Sequence, residues 1–436
     1  MASPAPDRAQ QHGDGIADPG KGWRSAHGVP VVPAFDGFRG LAIVCVVMFH
    51  LLYVSGTLSA LGDSNLAALV WGSFPHSVDA LFVISGFVLY LPTAARNGEF
   101  GRVSSFMIRR AARLFPAYWL CLVVAIVLLA TVPSRLGDLP GLGPILAHFA
   151  VLQTPALLVE GDFPLGLGVV PPVWTLSVEV GFYLVLPLVA GAYLRHPLVG
   201  LVAAAAIVVG WSLVAGNFGQ VSEWLGVGAS TASQDRIDVY YASQFPNWAF
   251  ALAAGMTGAW AYVHLGRRIP AAVLDAWSLR IAAAATVLLL GFVLLAGRDA
   301  IDSGTGPGLF GRQPVLVGLG YQATLAAAMV AVALTPAAFQ RPVTNTPMRK
   351  LGDISYGIYL IHFAVIWVAI SQFSLPSDGT LAALAVWALL VYPASIGYAY
   401  LSARFLEQPV RRWARRFGRR SQAAAAASTG TPDTAG

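Results

Sequence analysis

The sequence predicts an all-α, polytopic membrane protein of about ten transmembrane helices with both termini cytoplasmic. Composition is the first sign. Of 436 residues, 56% are hydrophobic and 11% charged, at a mean hydropathy of +0.66, whereas soluble domains carry about a quarter of their residues as charges. Segmentation is the second: ten apolar stretches recur, each near the roughly 20 residues that cross a bilayer. Charge placement is the third. With the N-terminus inside, all but four of the 27 lysines and arginines fall on the cytoplasmic side, the exceptions being Arg135, Arg236, Arg298 and Arg312, as the positive-inside rule requires. Topology thus accounts for the net charge of +6, and nucleic acid is set aside as a partner.

Residues 1–34 are rich in Ala, Gly, Pro and charge without periodicity, and read as a disordered cytoplasmic lead-in. They hold no apolar core, which excludes a cleavable signal peptide. Spans are expected near 40–56, 77–92, 115–133, 173–194, 197–215, 244–265, 279–296, 313–334, 350–372 and 379–402, within a membrane domain covering 35–413. Between the second and third, residues 103–115 interleave apolar positions with Arg109, Arg110 and Arg113, the pattern of an interfacial amphipathic helix. The outer segment 134–172 contains ILAHFAVLQTPALLV, too short to span and expected to be re-entrant or to lie on the surface. Residues 217–243 read as a polar outer loop with Glu223, Asp235 and Asp238. The tail 414–436 is basic, then low in complexity, and is expected to be disordered. Cys45 and Cys121 lie in apolar runs and read as packing residues. Neither a disulfide framework nor a Cys/His metal spacing is present.

Ionisable groups inside a span are costly and mark functional sites. Arg39 and His50 of the first span lie eleven residues apart, a turn of about 1100° and a rise of about 16 Å. They therefore share one face at different depths. Glu179, in the outer half of the fourth span, is expected to face His50 and to orient its ring for general-base work. Thr175 and Tyr183, one turn either side, are expected to hydrogen-bond that carboxylate; the alternative is a charge pair that only joins two helices. Trp174 marks the membrane interface. In the second span Asp79 stands at the outer end. Ser85 and Gly86 are small residues suited to close packing, and Ser85 lacks the GxSxG elbow of a serine nucleophile.

The ninth span puts Ser355, Tyr359 and His362 on one face, where His362 either joins the same cavity or bonds a neighbouring helix. His27, His76, His148, His196 and His264, near span ends or outside, are weaker candidates. On the inside, Arg39, Arg109, Arg110 and Arg113 form a basic patch. It suits the phosphates of a donor such as coenzyme A, or else serves topology and anionic membrane lipid.

Taken together, these segments resemble the acyltransferase-3 family of integral-membrane O-acyltransferases. The resemblance is carried by FDGFRGLAIVCVVMFH with Arg39 and His50, VDALFVISGF, RRAARLFPAYW with Arg110 and Arg113 as an Arg-x-x-Arg pair, VWTLSVEVGFYLVLPL, LGDISYGIYLIH and EQPVRRW. It implies a multi-pass protein of the plasma (inner) membrane and an acyl-CoA donor arriving from the cytoplasm, with no tightly bound cofactor. His50 becomes the leading catalytic residue, and Arg39, Arg110 and Arg113 are tied to donor binding or activity. Glu179 takes the acidic position of a Trp-x-Leu-Ser-x-Glu motif. The acceptor would be a hydroxyl of a glycan, a lipid-linked sugar or a macrolide. The tail after Trp413 is short and polar, so no extracytoplasmic hydrolase-like domain like that of longer members is expected.

The resulting expectation is transfer of a short acyl group from coenzyme A to a hydroxyl. His50, steadied by Glu179, takes the hydroxyl proton or itself carries the acyl group. A proton-coupled transporter or flippase, using Arg39, His50, Glu179 and His362 as a path, is the alternative from another class.

Overall fold

The computed structural model describes residues 29–132, 138–159, 163–226, 240–302 and 315–414. The expectations for residues 1–28 and 415–436, and for Arg135, Asp235, Arg236, Asp238 and Arg312, fall outside them. The described residues form helices and no strands. In chain order these are α1 (Pro33–Val54), the short α2 (Thr57–Ala60) and α3 (Asn65–Ser73), α4 (Ser77–Ala95), α5 (Val103–Thr131), the short α6 (Leu142–Phe149) and α7 (Gln153–Val159), α8 (Trp174–Arg195), α9 (Pro197–Gly216), α10 (Phe218–Leu225), α11 (Ala249–Arg268), α12 (Ala271–Asp302), α13 (Val315–Leu334), α14 (Ala337–Thr344), α15 (Thr346–Gln372) and α16 (Leu381–Ser402).

Among the described residues nine helices are long and apolar enough to cross a membrane. The tenth expected span is α11, whose 20 residues are less apolar because both its sides meet protein. Small residues let it approach α4 closely: a Cβ at Gly86 would strike the Leu252 carbonyl, and one at Gly255 the Val83 carbonyl.

Several elements differ from the sequence expectation, among them the short α10 within the stretch read as a polar loop. α1 begins at Pro33, several residues early, because proline suits the first helical turn and Phe35 is buried, stacked on Phe87 with ring centroids 3.6 Å apart. The supposed interfacial helix over 103–115 is instead the first part of one continuous 29-residue helix, α5, with Pro116 inside it. α3 was not foreseen; it packs on α12, where Gly72 lies against Val293 and Gly297 against Ala68. The stretch ILAHFAVLQTPALLV is too short to span, as expected. It breaks at Val151, with φ of +60°, into α6 and α7, which seal one end of the bundle. His148 and Gln153 there are fully buried. Tyr118 donates to the His148 carbonyl at 2.7 Å and Gln153 to the Val173 carbonyl at 3.2 Å. Cys121 is buried with its thiol 3.2 Å from the Leu360 carbonyl, a packing role as read.

α1 lies at the centre. It runs antiparallel to α4 and parallel to α15, with Gly352 against the Asp36 backbone at one end and His362 beside His50 toward the other. Gly86→Val, placing a branched side chain where the Leu252 carbonyl now sits, is expected to cost about 1–3 kcal/mol. Thermal unfolding of the detergent-solubilised protein would show it as a lowered midpoint; an unchanged midpoint would mean that α4 and α11 do not pack this closely.

Candidate active site

Two cavities lie in series along α1. The first holds about 730 Å³ of empty space, including the part open to solvent, and is lined by Arg39, Ser85, Arg113, Glu179, Tyr183, Ser355, Tyr356 and Tyr359 among others. The second holds about 510 Å³ and is lined by His50, Phe74, Pro75, Ser77, Pro171, Pro172, Trp174 and Phe363 among others. Val78 and Tyr359 border both and form the wall between them.

The first cavity is polar on a pattern the sequence only partly disclosed. Ser85 donates to Glu179 at 3.3 Å, and Tyr183, one turn along the same helix, lines the same cavity. Arg39 and Arg110 lie within its electrostatic reach. Arg39 is paired as well with Asp36, 3.7 Å away one turn earlier, a spacing at which opposite charges meet on a helix. Arg110 spreads over the Phe106 ring at 5.6 Å, and its buried Nε has no hydrogen-bond partner. Arg109 departs from the expected patch: it is exposed and its charged neighbour is Arg96, because a residue next to Arg110 points about 100° away around the helix.

Glu179 does not meet His50. The turn Pro171–Val173 dips into the bundle, and its Pro172 carbonyl accepts from Tyr359 at 2.7 Å, so α8 begins at the level of His50. Glu179 is level with Ser85, seven residues and about 10 Å along α4 from Val78. Thr175 likewise serves Tyr359, 3.1 Å away, rather than Glu179. Trp174, read as an interface marker, is a buried wall of the second cavity, 5.5 Å from Trp248.

What orients His50 is its own helix. Its Nδ1 lies 2.8 Å from the Val46 carbonyl, which fixes the proton on Nδ1, since a carbonyl only accepts. Nε2 then carries a lone pair and is buried without a partner. His362 stands beside it, ring centroids 5.1 Å apart, but is fully buried and lines neither cavity. Ser355 bonds back to the Gly352 carbonyl at 2.8 Å and keeps its place in the first cavity.

Asp79 forms a separate knot, held by His76 at 2.9 Å and by Gln322 at 2.6 Å, and lines neither cavity. His76, ranked low in the sequence, is its partner; the three-residue spacing was the available signal. Among the described residues no group of three or more His, Cys, Asp or Glu could hold a metal ion.

An arginine-lined cavity, a wall with a tyrosine hydroxyl and an imidazole lone pair beyond it together fit group transfer, and the comparisons agree. The family profile described as an acyltransferase domain matches residues 32–404. The chain belongs to the acyltransferase-3 family. It is 27% identical over 395 residues to the peptidoglycan O-acetyltransferase OatA of Listeria monocytogenes, a match covering 87% of this chain and 56% of that protein. It is 24% identical over 349 residues to YrhL of Bacillus subtilis, named as a candidate peptidoglycan O-acetyltransferase, over 77% of this chain and 48% of that one. The chain therefore spans about half the length of the curated relatives it matches. No solved structure matches it.

Nitrogen-15 spectra of histidine-labelled protein would check the tautomer. His50 is expected to show a protonated Nδ1 and an unprotonated Nε2, unchanged in Glu179→Gln; a tautomer that flips in that variant would restore the carboxylate as its orienting group.

Proposed function

We propose that this acyltransferase moves a short acyl group from acyl-coenzyme A to a hydroxyl of a cell-envelope carbohydrate, working in the plasma membrane with both chain ends cytoplasmic. The observation that carries the reading is the buried, unpartnered Nε2 of His50, in a cavity that only Val78 and Tyr359 part from the one lined by Arg39 and Arg113. Guanidinium groups grip phosphates through charge-assisted paired bonds, which suits the nucleotide end of coenzyme A. Glu179 and the hydroxyls of Ser85, Tyr183 and Tyr359 give the remaining length a polar lining, so an extended amide-containing arm is accommodated without burying its polar atoms unpaired.

The thioester would then reach the boundary at Tyr359. His50 Nε2 takes the proton of the acceptor hydroxyl as its oxygen attacks the thioester carbonyl. The carbon–sulfur bond breaks, and the departing thiolate receives that proton, so the products are an ester and free thiol. The names of the two bacterial relatives favour a glycan acceptor and an acetyl group. Positive-inside asymmetry supports donor entry from the cytoplasm. The transporter reading loses its footing with family membership, because passage alone needs no acyl donor.

Purified protein with acetyl-CoA and a glycan acceptor is expected to release thiol in proportion to ester formed, and His50→Ala to lower that rate about a hundredfold or more while folding normally. Full activity in that variant would remove His50 from the chemistry. Arg113→Ala is expected to raise the acetyl-CoA KM about tenfold or more, the worth of a hydrogen bond to a charged group; an unchanged KM would place the donor elsewhere.

A further inference from the structure

His50 is one of two imidazoles built to the same plan. His362 is fully buried, and its Nδ1 faces the carbonyls of Tyr359 at 2.8 Å and Ile358 at 3.2 Å, so its proton too is pinned to Nδ1. Its Nε2, like that of His50, is buried with no hydrogen-bond partner. Two neighbouring helices thus each bring a fixed ring with a vacant lone pair to one place, the ring centroids 5.1 Å apart. A structural histidine in an apolar core would satisfy both nitrogens, because each unpaired buried acceptor costs about 1–3 kcal/mol.

We propose that His362 is the proton-holding partner of His50, so that the two rings act as one base. This rests on the reading of His50 given above. His50 Nε2 takes the proton as the acceptor oxygen bonds to the acyl carbon. The two Nε2 atoms are not hydrogen-bonded to each other at rest; protonation of His50 draws the rings together, the proton is held between them while the carbon–sulfur bond breaks, and it then passes to the thiolate. The pair starts and ends with both Nε2 atoms unprotonated, and one proton moves from hydroxyl to sulfur. Holding it between two lone pairs spreads the positive charge, and their closeness bars a second proton.

The surroundings offer no substitute. Facing the rings are Phe49 and Phe363, and Tyr359 on His362's own helix, 5.9 Å away with its hydroxyl committed to Pro172. Among the described residues no carboxylate pairs with either ring, the one His–carboxylate contact being His76–Asp79. His362 is a positioning residue in this scheme, acting on the reaction through His50.

The test uses the full-length protein with acetyl-CoA and a glycan acceptor. His362→Asn keeps an amide donor where Nδ1 stands and removes the second nitrogen. It is expected to lower kcat about a hundredfold, the low end of what proton transfer contributes, with the acetyl-CoA KM unchanged. His362→Ala is expected to regain activity with added imidazole and not with pyrazole, which has the same size and far less basicity. Near wild-type kcat in His362→Asn would overturn the proposal, and so would equal rescue by pyrazole, which would reduce the role to filling space. Should His362→Ala fail to fold, His362→Asn decides alone. If His50→Ala is itself fully active, the reading of His50 falls as well; if His50 is essential and His362 dispensable, only the partnership falls.

Discussion

Two carboxylates, Glu179 and Asp36, make the arginine-lined cavity tolerable in an apolar bundle. Arg39, Arg110 and Arg113 converge from α1 and α5 on one region, and bare cations there would carry a large desolvation cost. Glu179 stands among them, bonded to Ser85 of α4, with Asp36 neutralising Arg39 from the open side. Four helices are thereby tied together around a polar space rather than an apolar plug. The same arrangement leaves net positive charge at the entrance, which is what an anionic donor requires.

Charged side chains stop at Tyr359. Beyond it the lining turns aromatic, with Trp174, Phe49, Phe74 and Phe363 around His50. The separation has a chemical use. On the proposed reading, a phosphate-bearing donor would be held where water and ions have access and proton transfer would take place where they do not, so that the acyl group would pass to a hydroxyl instead of to water. The histidine tautomer is set by the Val46 carbonyl, a backbone atom that no charge on the donor displaces.

Long-range periodicity made the bundle legible. The ten apolar segments correspond to ten long helices, with ends differing by several residues where burial overrides hydropathy, as at Phe35 of α1. α11 shows the limit of an apolar count, since a helix surrounded by protein has no need to be greasy. α3 was invisible because nine residues give too few turns for a pattern. At the site, types and depths were readable and pairings were not. Arg39 and Arg113 gather as expected, Glu179 and Ser355, read with the histidines, join the arginines instead, and His362 lies beside His50. The Glu179–His50 pairing failed because depth was reckoned from a straight helix entering at the surface, whereas Pro171 and Pro172 start α8 deep in the bundle. Arg109 was misassigned by adjacency in sequence, which on a helix is separation in space.

A structure of the protein bound to a non-transferable thioether analogue of acetyl-CoA would test the central claim most directly. The expected result has the nucleotide phosphates on Arg39 and Arg113, the arm running past Glu179, and the thioether sulfur at the Tyr359 boundary within reach of His50 Nε2. An analogue bound with its sulfur end away from His50, or outside the arginine-lined cavity, would contradict it.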